Sequence, residues 1–246
     1  MLRVIISFLL LISTISLLSA CSSNEKKADT AEGAFQLAQE YDNDERWEEA
    51  IRRYQEVKNK FPYSKYATMS ELALADAYFK QETYAEAQVA YQSFKDLHPK
   101  HPRIDYVTYR LALSFYNQLP PTIDRDLTLA QSTILYFDEV INQFPNSEHL
   151  ADAKEKKQAT LKMLAAKEDY IGEFYFIREM YDSALTRYEG LMKKFPGLGY
   201  DAKALSKAAI SASKVGEPDR SRRYLAELQK KFPNSEELDE AKEELR

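Results

Sequence analysis

Apolar and polar positions along this chain follow a series that recurs five times. A small residue is followed four positions later by an aromatic or aliphatic one, three later by another, and five later by proline: Ala50, Tyr54, Val57 and Pro62 in the first copy. The same spacing gives Ala87, Tyr91, Phe94 and Pro99, then Thr133, Phe137, Val140 and Pro145, then Ala184, Tyr188, Leu191 and Pro196. The last copy is Ser221, Leu225, Leu228 and Pro233. Positions i, i+4 and i+7 share one helical face; the small residue lets a second helix approach, and the proline stops the helix. Each copy has an upstream partner segment: Leu37, Ala38, Tyr41; Leu74, Ala75, Tyr78; Leu111, Ala112, Phe115; and Ile171, Gly172, Tyr175. The unit is therefore a helical hairpin. The fifth copy offers only Ala209 and Ala212 in these slots, which suits a terminal repeat lacking a neighbour on one side.

This large, small, aromatic triplet followed by the helix and proline resembles the tetratricopeptide repeat, whose period is about 34 residues. The resemblance implies an all-α fold, an α-α superhelix of about five hairpins. Pro62 to Pro99 and Pro196 to Pro233 each span 37 residues, whereas the two intervals between span 46 and 51 and so carry insertions. The first, Leu119 to Thr128, contains Pro120-Pro121, which forbids a continuous helix and predicts a protruding loop. In the second, Ser147 to Glu179 has no proline and only Gly172 among good helix formers, which predicts a long helix joining the third repeat to the fourth. Six glycines, 44% hydrophobic and 30% charged residues fit such a helical body.

The N-terminus reads as an export signal: Arg3 supplies charge, Val4 to Leu18 is apolar, and Leu18-Ser19-Ala20-Cys21 resembles the bacterial lipobox. Residues 1–20 are then a lipoprotein signal peptide and Cys21 the lipid attachment site; the alternative is an uncleaved anchor beside an incidental cysteine. Cys21 is the only cysteine, so no internal disulfide forms. Ser22 stands where an Asp would favour inner-membrane retention, which points to the outer membrane. Ser22 to Thr30 is polar and reads as a flexible tether, completing a segment 21–30 that reaches roughly 30 Å. The net charge of −5 argues against a nucleic-acid partner, which calls for a basic footprint.

The block His98-Pro-Lys-His-Pro-Arg-Ile-Asp-Tyr-Val107, the loop triplet Asp124-Arg125-Asp126 and the segment EFYFIREMYDSALTRYEG resemble one family over essentially the whole chain. It is the BamD family, repeat lipoproteins of the outer-membrane β-barrel assembly machine. The resemblance implies a lipid-anchored protein at the periplasmic face of the outer membrane, with other assembly-complex lipoproteins as partners. It also implies that the N-terminal repeats receive unfolded barrel proteins and the C-terminal repeats dock the barrel subunit, BamA. On that basis Arg187, three residues past Ala184 and off the hairpin's internal face, is the candidate docking residue. Residues 31–146 form the substrate-receiving part and 147–246 the linking helix and docking part.

No GxSxG, HExxH, GxxxxGKS or GxGxxG string occurs, so no catalytic residue, metal ligand or cofactor is proposed beyond the N-terminal lipid. His98 and His101 lack further ligands nearby and read as packed or capping histidines; Asp124-Arg125-Asp126 reads equally well as a salt-bridged surface turn. The better place for function is the inward stripe of each first helix. Phe35 and Asn43 in the first repeat are matched by Met69, Leu72, Phe79 and Lys80 in the second, and by Tyr106, Tyr109, Tyr116 and Asn117 in the third. Apolar side chains on a face meant for water imply a ligand, here an extended apolar polypeptide, or cover from the tether or the loop. Lys80 is the cation placed to meet a terminal carboxylate. The later repeats offer Asp169, Glu173, Phe176, Lys203, Ser206 and Ile210, a more polar stripe. The reading is a non-enzymatic scaffold in barrel assembly; the alternatives are another envelope adaptor, such as a pilotin or a cell-division partner, and last a periplasmic hydrolase.

Overall fold

A computed structural model describes residues 28–246, among which there are eleven helices and no strand. The signal peptide, Cys21 and most of the tether lie outside the described residues. The chain divides between Ser114 and Phe115 into two compact units, earlier than the 146/147 boundary read from the repeats.

The first unit holds α1 (Ala31–Asn43), α2 (Trp47–Lys60), α3 (Lys65–Lys80), α4 (Tyr84–Leu97) and most of α5 (Ile104–Tyr116). The second holds α6 (Leu129–Gln143), α7 (Leu150–Phe176), α8 (Tyr181–Lys194), α9 (Asp201–Lys214), α10 (Pro218–Lys231) and α11 (Glu236–Glu244). Within each unit consecutive helices pack as hairpins, α1 on α2, α3 on α4, α7 on α8 and α9 on α10. First helices also meet across hairpins, α1 with α3 and α7 with α9, the packing of tetratricopeptide-type repeats.

The repeated residues explain this packing. Ala38, Ala75, Ala50, Ala87 and Ala184 are fully buried, as are Tyr91 and Tyr188, with Tyr54 only 1% exposed. The large ring fills the space that the small partner leaves. Gly172 is the extreme case: a Cβ there would lie 3.0 Å from the Tyr188 ring, so glycine is what allows α7 and α8 to approach. The second helices end at Phe61, His98, Phe144, Phe195 and Phe232, each before a proline and turned out of helical φ to between −125° and −135°. Proline's ring disfavours the α conformation of the residue ahead of it.

Four hairpin turns close in the same way. Thr83 N–H donates to the Tyr78 carbonyl, as Arg46 does to Tyr41, Met180 to Tyr175 and Glu217 to Ala212. The residue just inside each bond is left-handed: Glu45 (φ 59°), Glu82 (62°), Glu179 (58°) and Gly216 (82°). These are Schellman-type ends in which three glutamates occupy a place where glycine is usual.

Two sequence expectations are met closely. Leu129 opens a helix only after the Pro120-Pro121 segment, and α7 runs for 27 residues. The 119–128 loop is tied down: the Asp126 carboxylate accepts from the Thr128 N–H at 2.9 Å and hydroxyl at 2.6 Å, and Lys167 on α7 donates to the Arg125 carbonyl. Two other expectations are corrected. In the fifth hairpin Tyr224 is buried and Leu225 only partly so, a one-residue slip from the series. Nor is α9 left without a neighbour, because α11 lays Leu238 and Ala241 against it; the stripe residues Ser206 and Ile210 are 0% and 1% exposed.

Candidate functional site

The first unit contains a cavity of about 390 Å³ between α1 and α3. Phe35, Gln39 and Asp42 line it from one face of α1, where spacings of four and three keep side chains together. Met69, Leu72 and Asp76 repeat that pattern on α3, Tyr54 contributes from α2, and His101 and Arg103 come from the turn before α5. Phe35 is 5% and Leu72 6% exposed, so they form a closed floor, whereas Met69 is 45% exposed at the rim. Phe35 is held by tilted ring contacts with Tyr54 at 5.8 Å and Tyr66 at 5.7 Å. The arrangement is thus a cavity in which the stripe residues Phe35 and Leu72 are buried instead of facing water.

Its polar wall is a hydrogen-bonded network. Asp76 Oδ1 accepts from the Tyr91 hydroxyl at 2.5 Å and the Tyr106 hydroxyl at 2.7 Å. Arg110 Nε donates to the Tyr91 oxygen at 3.1 Å while its guanidinium stacks 3.6 Å from the Phe79 centroid. Burial, and then the Asp76 charge, push the Tyr106 hydroxyl up to about 12 and Tyr91 well above the usual tyrosine range. Burial also raises Tyr54, with Asp42 and Asp76 adding to it. Burial lowers His101, and the neighbouring His98 and Arg103 charges lower it further, so its ring is neutral at pH 7. Both histidines pack on Phe94, and His98 Nε2 lies 2.6 Å from Glu71.

The residues singled out by sequence are therefore distributed unevenly. Phe35, Met69 and Leu72 line the cavity; Tyr106 holds its acidic wall through Asp76; Phe79 carries Arg110. Tyr109 is half-buried and Asn43 exposed. Lys80, expected to meet an incoming carboxylate, is partly exposed and its ammonium donates to both oxygens of Asp42, at 2.9 and 2.8 Å. Tyr116 and Asn117 belong to the second unit, where Tyr116 meets Phe137 edge-on at 6.2 Å. Arg187 is partly exposed and its guanidinium lies 3.2 Å from Glu168 on α7. In the same unit Tyr170, Phe174, Ile177 and Met180 expose large apolar surface.

Sequence reasoning passes over Asp76's binding of two tyrosines, over Arg103, and over a second hollow. This last, about 490 Å³, lies among α2, α3 and α4 and is lined by Leu74, Tyr78, Val89 and Phe94. Its one visible signal is Val89, an aliphatic residue at an outward position of α4 that stays 67% exposed. Among the described residues no group of three or more His, Cys, Asp or Glu is placed to hold a metal ion, and no helix is long and apolar enough to cross a membrane. What the cavity can do is bury a large apolar side chain, worth about 1.5–3 kcal/mol when complete, beside ordered polar groups.

The sequence model of the YfiO family, described as an outer membrane lipoprotein, matches residues 27–228. The outer membrane protein assembly factor BamD of Neisseria meningitidis is 28% identical over 235 residues, covering 89% of this chain and 88% of that protein. The protein of the same name from Caulobacter vibrioides is 26% identical over 187 residues, covering 76% and 61%. Among solved structures, the TPR2AB-domain:pHSP90 complex of yeast Sti1 gives a TM-score of 0.44 at 16% identity, covering 86% of this chain and 81% of that one.

Proposed function

The chain belongs to the YfiO family of outer membrane lipoproteins, and from that premise we propose that it is a lipid-anchored scaffold of outer-membrane β-barrel assembly. A role in outer-membrane protein assembly is supported by relatives of that name spanning most of the chain. In the finer reading, Cys21 carries the lipid, the protein faces the periplasm, and no chemistry is catalysed. The first unit receives segments of unfolded barrel proteins, and the second docks a barrel subunit of the BamA type beside other lipoproteins of the complex.

The observation that carries the substrate part is the cavity, with its aromatic and aliphatic floor of Phe35, Tyr54 and Leu72 and its exposed Met69 rim. Barrel strands alternate apolar and polar residues and carry aromatic girdles, so an extended segment offers an aromatic side chain to such a cavity while its polar residues face water. The docking part draws on Arg187, whose planar guanidinium can exchange its exposed intramolecular carboxylate for one on a partner.

The test has two measurements. A barrel-strand peptide is titrated against the full-length chain in detergent, and against Met69→Glu, which places a charge at the cavity rim. Binding at least tenfold weaker with an unchanged melting temperature is expected; equal binding removes the cavity from the reading. Affinity purification from detergent-solubilised outer membranes is expected to recover a BamA-type subunit with wild type and less with Arg187→Glu. Equal recovery overturns the docking role of Arg187.

A further inference from the structure

We infer that Arg103 is the receptor for a carboxylate of the bound polypeptide, a specificity residue that fixes the direction in which a segment lies on the cavity. This rests on the peptide-binding reading above and adds to it the chemistry of one contact.

Of the basic residues near the cavity, Arg103 is the one that lines it with an exposed guanidinium. Lys80 is held by both oxygens of Asp42. Arg110 is committed to the Tyr91 hydroxyl and the Phe79 ring. His101 is neutral at pH 7 because burial and neighbouring positive charge oppose its protonation. Arg103 lines the cavity, and its side chain is exposed. Its guanidinium rests 4.2 Å from the centroid of Tyr106, and the Arg103 backbone N–H donates to His101 Nδ1 at 3.2 Å. A guanidinium stacked on an aromatic face keeps its edge donors available, which is the orientation in which arginine takes a carboxylate in a forked contact.

The acids of the site fix where that carboxylate can sit. Asp42 and Asp76 both line the cavity. Lys80 neutralises Asp42, while Asp76 accepts from two neutral hydroxyls, of which Tyr91 also links it to Arg110. An incoming carboxylate is therefore repelled from the Asp76 wall and attracted to the Arg103 rim. The apolar side chain beside it enters over Phe35 and Leu72. Tyr106 serves both sides, its hydroxyl bonding Asp76 and its ring carrying Arg103. One tyrosine thus couples the acidic wall to the cationic rim. The carboxylate can come from the chain terminus or from an acidic side chain next to an apolar one.

Three peptides of one alternating sequence ending in phenylalanine separate these sources: the free acid, the C-terminal amide, and the amide with glutamate as penultimate residue. Each is titrated against full-length wild type, Arg103→Gln, Arg103→Lys and, as a control for net charge, Lys100→Gln. Wild type and Lys100→Gln are expected to bind at least one carboxylate form about tenfold more tightly than the plain amide. Arg103→Gln is expected to lose that preference while still binding the amide, and Arg103→Lys to keep part of it because a lone ammonium lacks the fork. Preference for the free acid assigns the chain terminus, and preference for the glutamate peptide a side chain. Equal binding of all three forms by wild type, or a preference that survives in Arg103→Gln, overturns the inference and leaves peptide binding intact. Failure of wild type to bind any form overturns both.

Discussion

Gly172 and Gly190 are glycines within helices of the same unit, and one substitution applied to both separates packing from backbone propensity. Alanine in place of a helical glycine gains about 1 kcal/mol by reducing backbone entropy in the unfolded chain. At Gly190, on α8, nothing lies within 4 Å of an added Cβ, so Gly190→Ala is expected to gain that amount. At Gly172 the Cβ meets Tyr188 ring atoms at 3.0, 3.1 and 3.3 Å. That ring is fully buried and its hydroxyl donates to Glu173 at 3.1 Å, so it has little room to withdraw. Overpacking of this kind costs about 1–3 kcal/mol. Set against the same propensity gain, Gly172→Ala is expected to lose roughly 1 kcal/mol. The two variants then differ by about 2 kcal/mol, or roughly 4–8 °C in melting temperature for a chain of this size. Thermal and urea unfolding of the full chain reads the difference. Shifts of the same sign and size in both variants would refute the claim that Gly172 is required by the approach of α8. A double-mutant cycle with Tyr188→Leu locates the interaction, since the penalty at Gly172 should vanish once the ring is gone.

Glu82 occupies a left-handed backbone position, so Glu82→Ile is expected to cost about 1–2 kcal/mol while Glu82→Gly is neutral or slightly stabilising; equal midpoints would show that the turn relaxes. The Tyr106 hydroxyl, pushed up to about 12 by burial and Asp76, binds its proton more tightly in the folded state than the ordinary value of about 10. Its contribution to stability is complete below pH ~10 and is lost as pH rises through about 12, so the stability gap between wild type and Tyr106→Phe should narrow over that range in urea titrations; a constant gap would exclude the linkage.

The hairpins were legible because helical periodicity is local: Ala50, Tyr54 and Val57 declare a face within eight residues, and Pro62 declares its end. The site was only half legible for the same reason. Phe35, Met69 and Leu72 could be placed by register, but the fate of Lys80 depends on Asp42, 38 positions away, and no periodicity reports which carboxylate a cation meets. Asp76 likewise draws its tyrosines from 15 and 30 positions downstream. The hairpin turns escaped because their left-handed positions are filled by Glu45, Glu82 and Glu179, where turn chemistry leads one to look for glycine. The slip from Leu225 to Tyr224 follows a distant partner too: the Tyr224 hydroxyl bonds Glu189 on α8, which also pairs with Arg220.

Helix α11 has a bearing on whether copies of this protein associate. A repeat that packs on its predecessor presents the same kind of surface to whatever comes next, and a surface of that kind accepts another molecule as readily as another repeat. On α9 that surface is spent internally: Leu238 and Ala241 cover it, and Glu240 binds Lys207 at 2.7 Å. The outward side of α11 then shows Glu236, Asp239, Glu243 and Glu244 to solvent. Deleting residues 236–246 should therefore bare the α9 surface and bring copies together through it, seen as a rise in mass by light scattering.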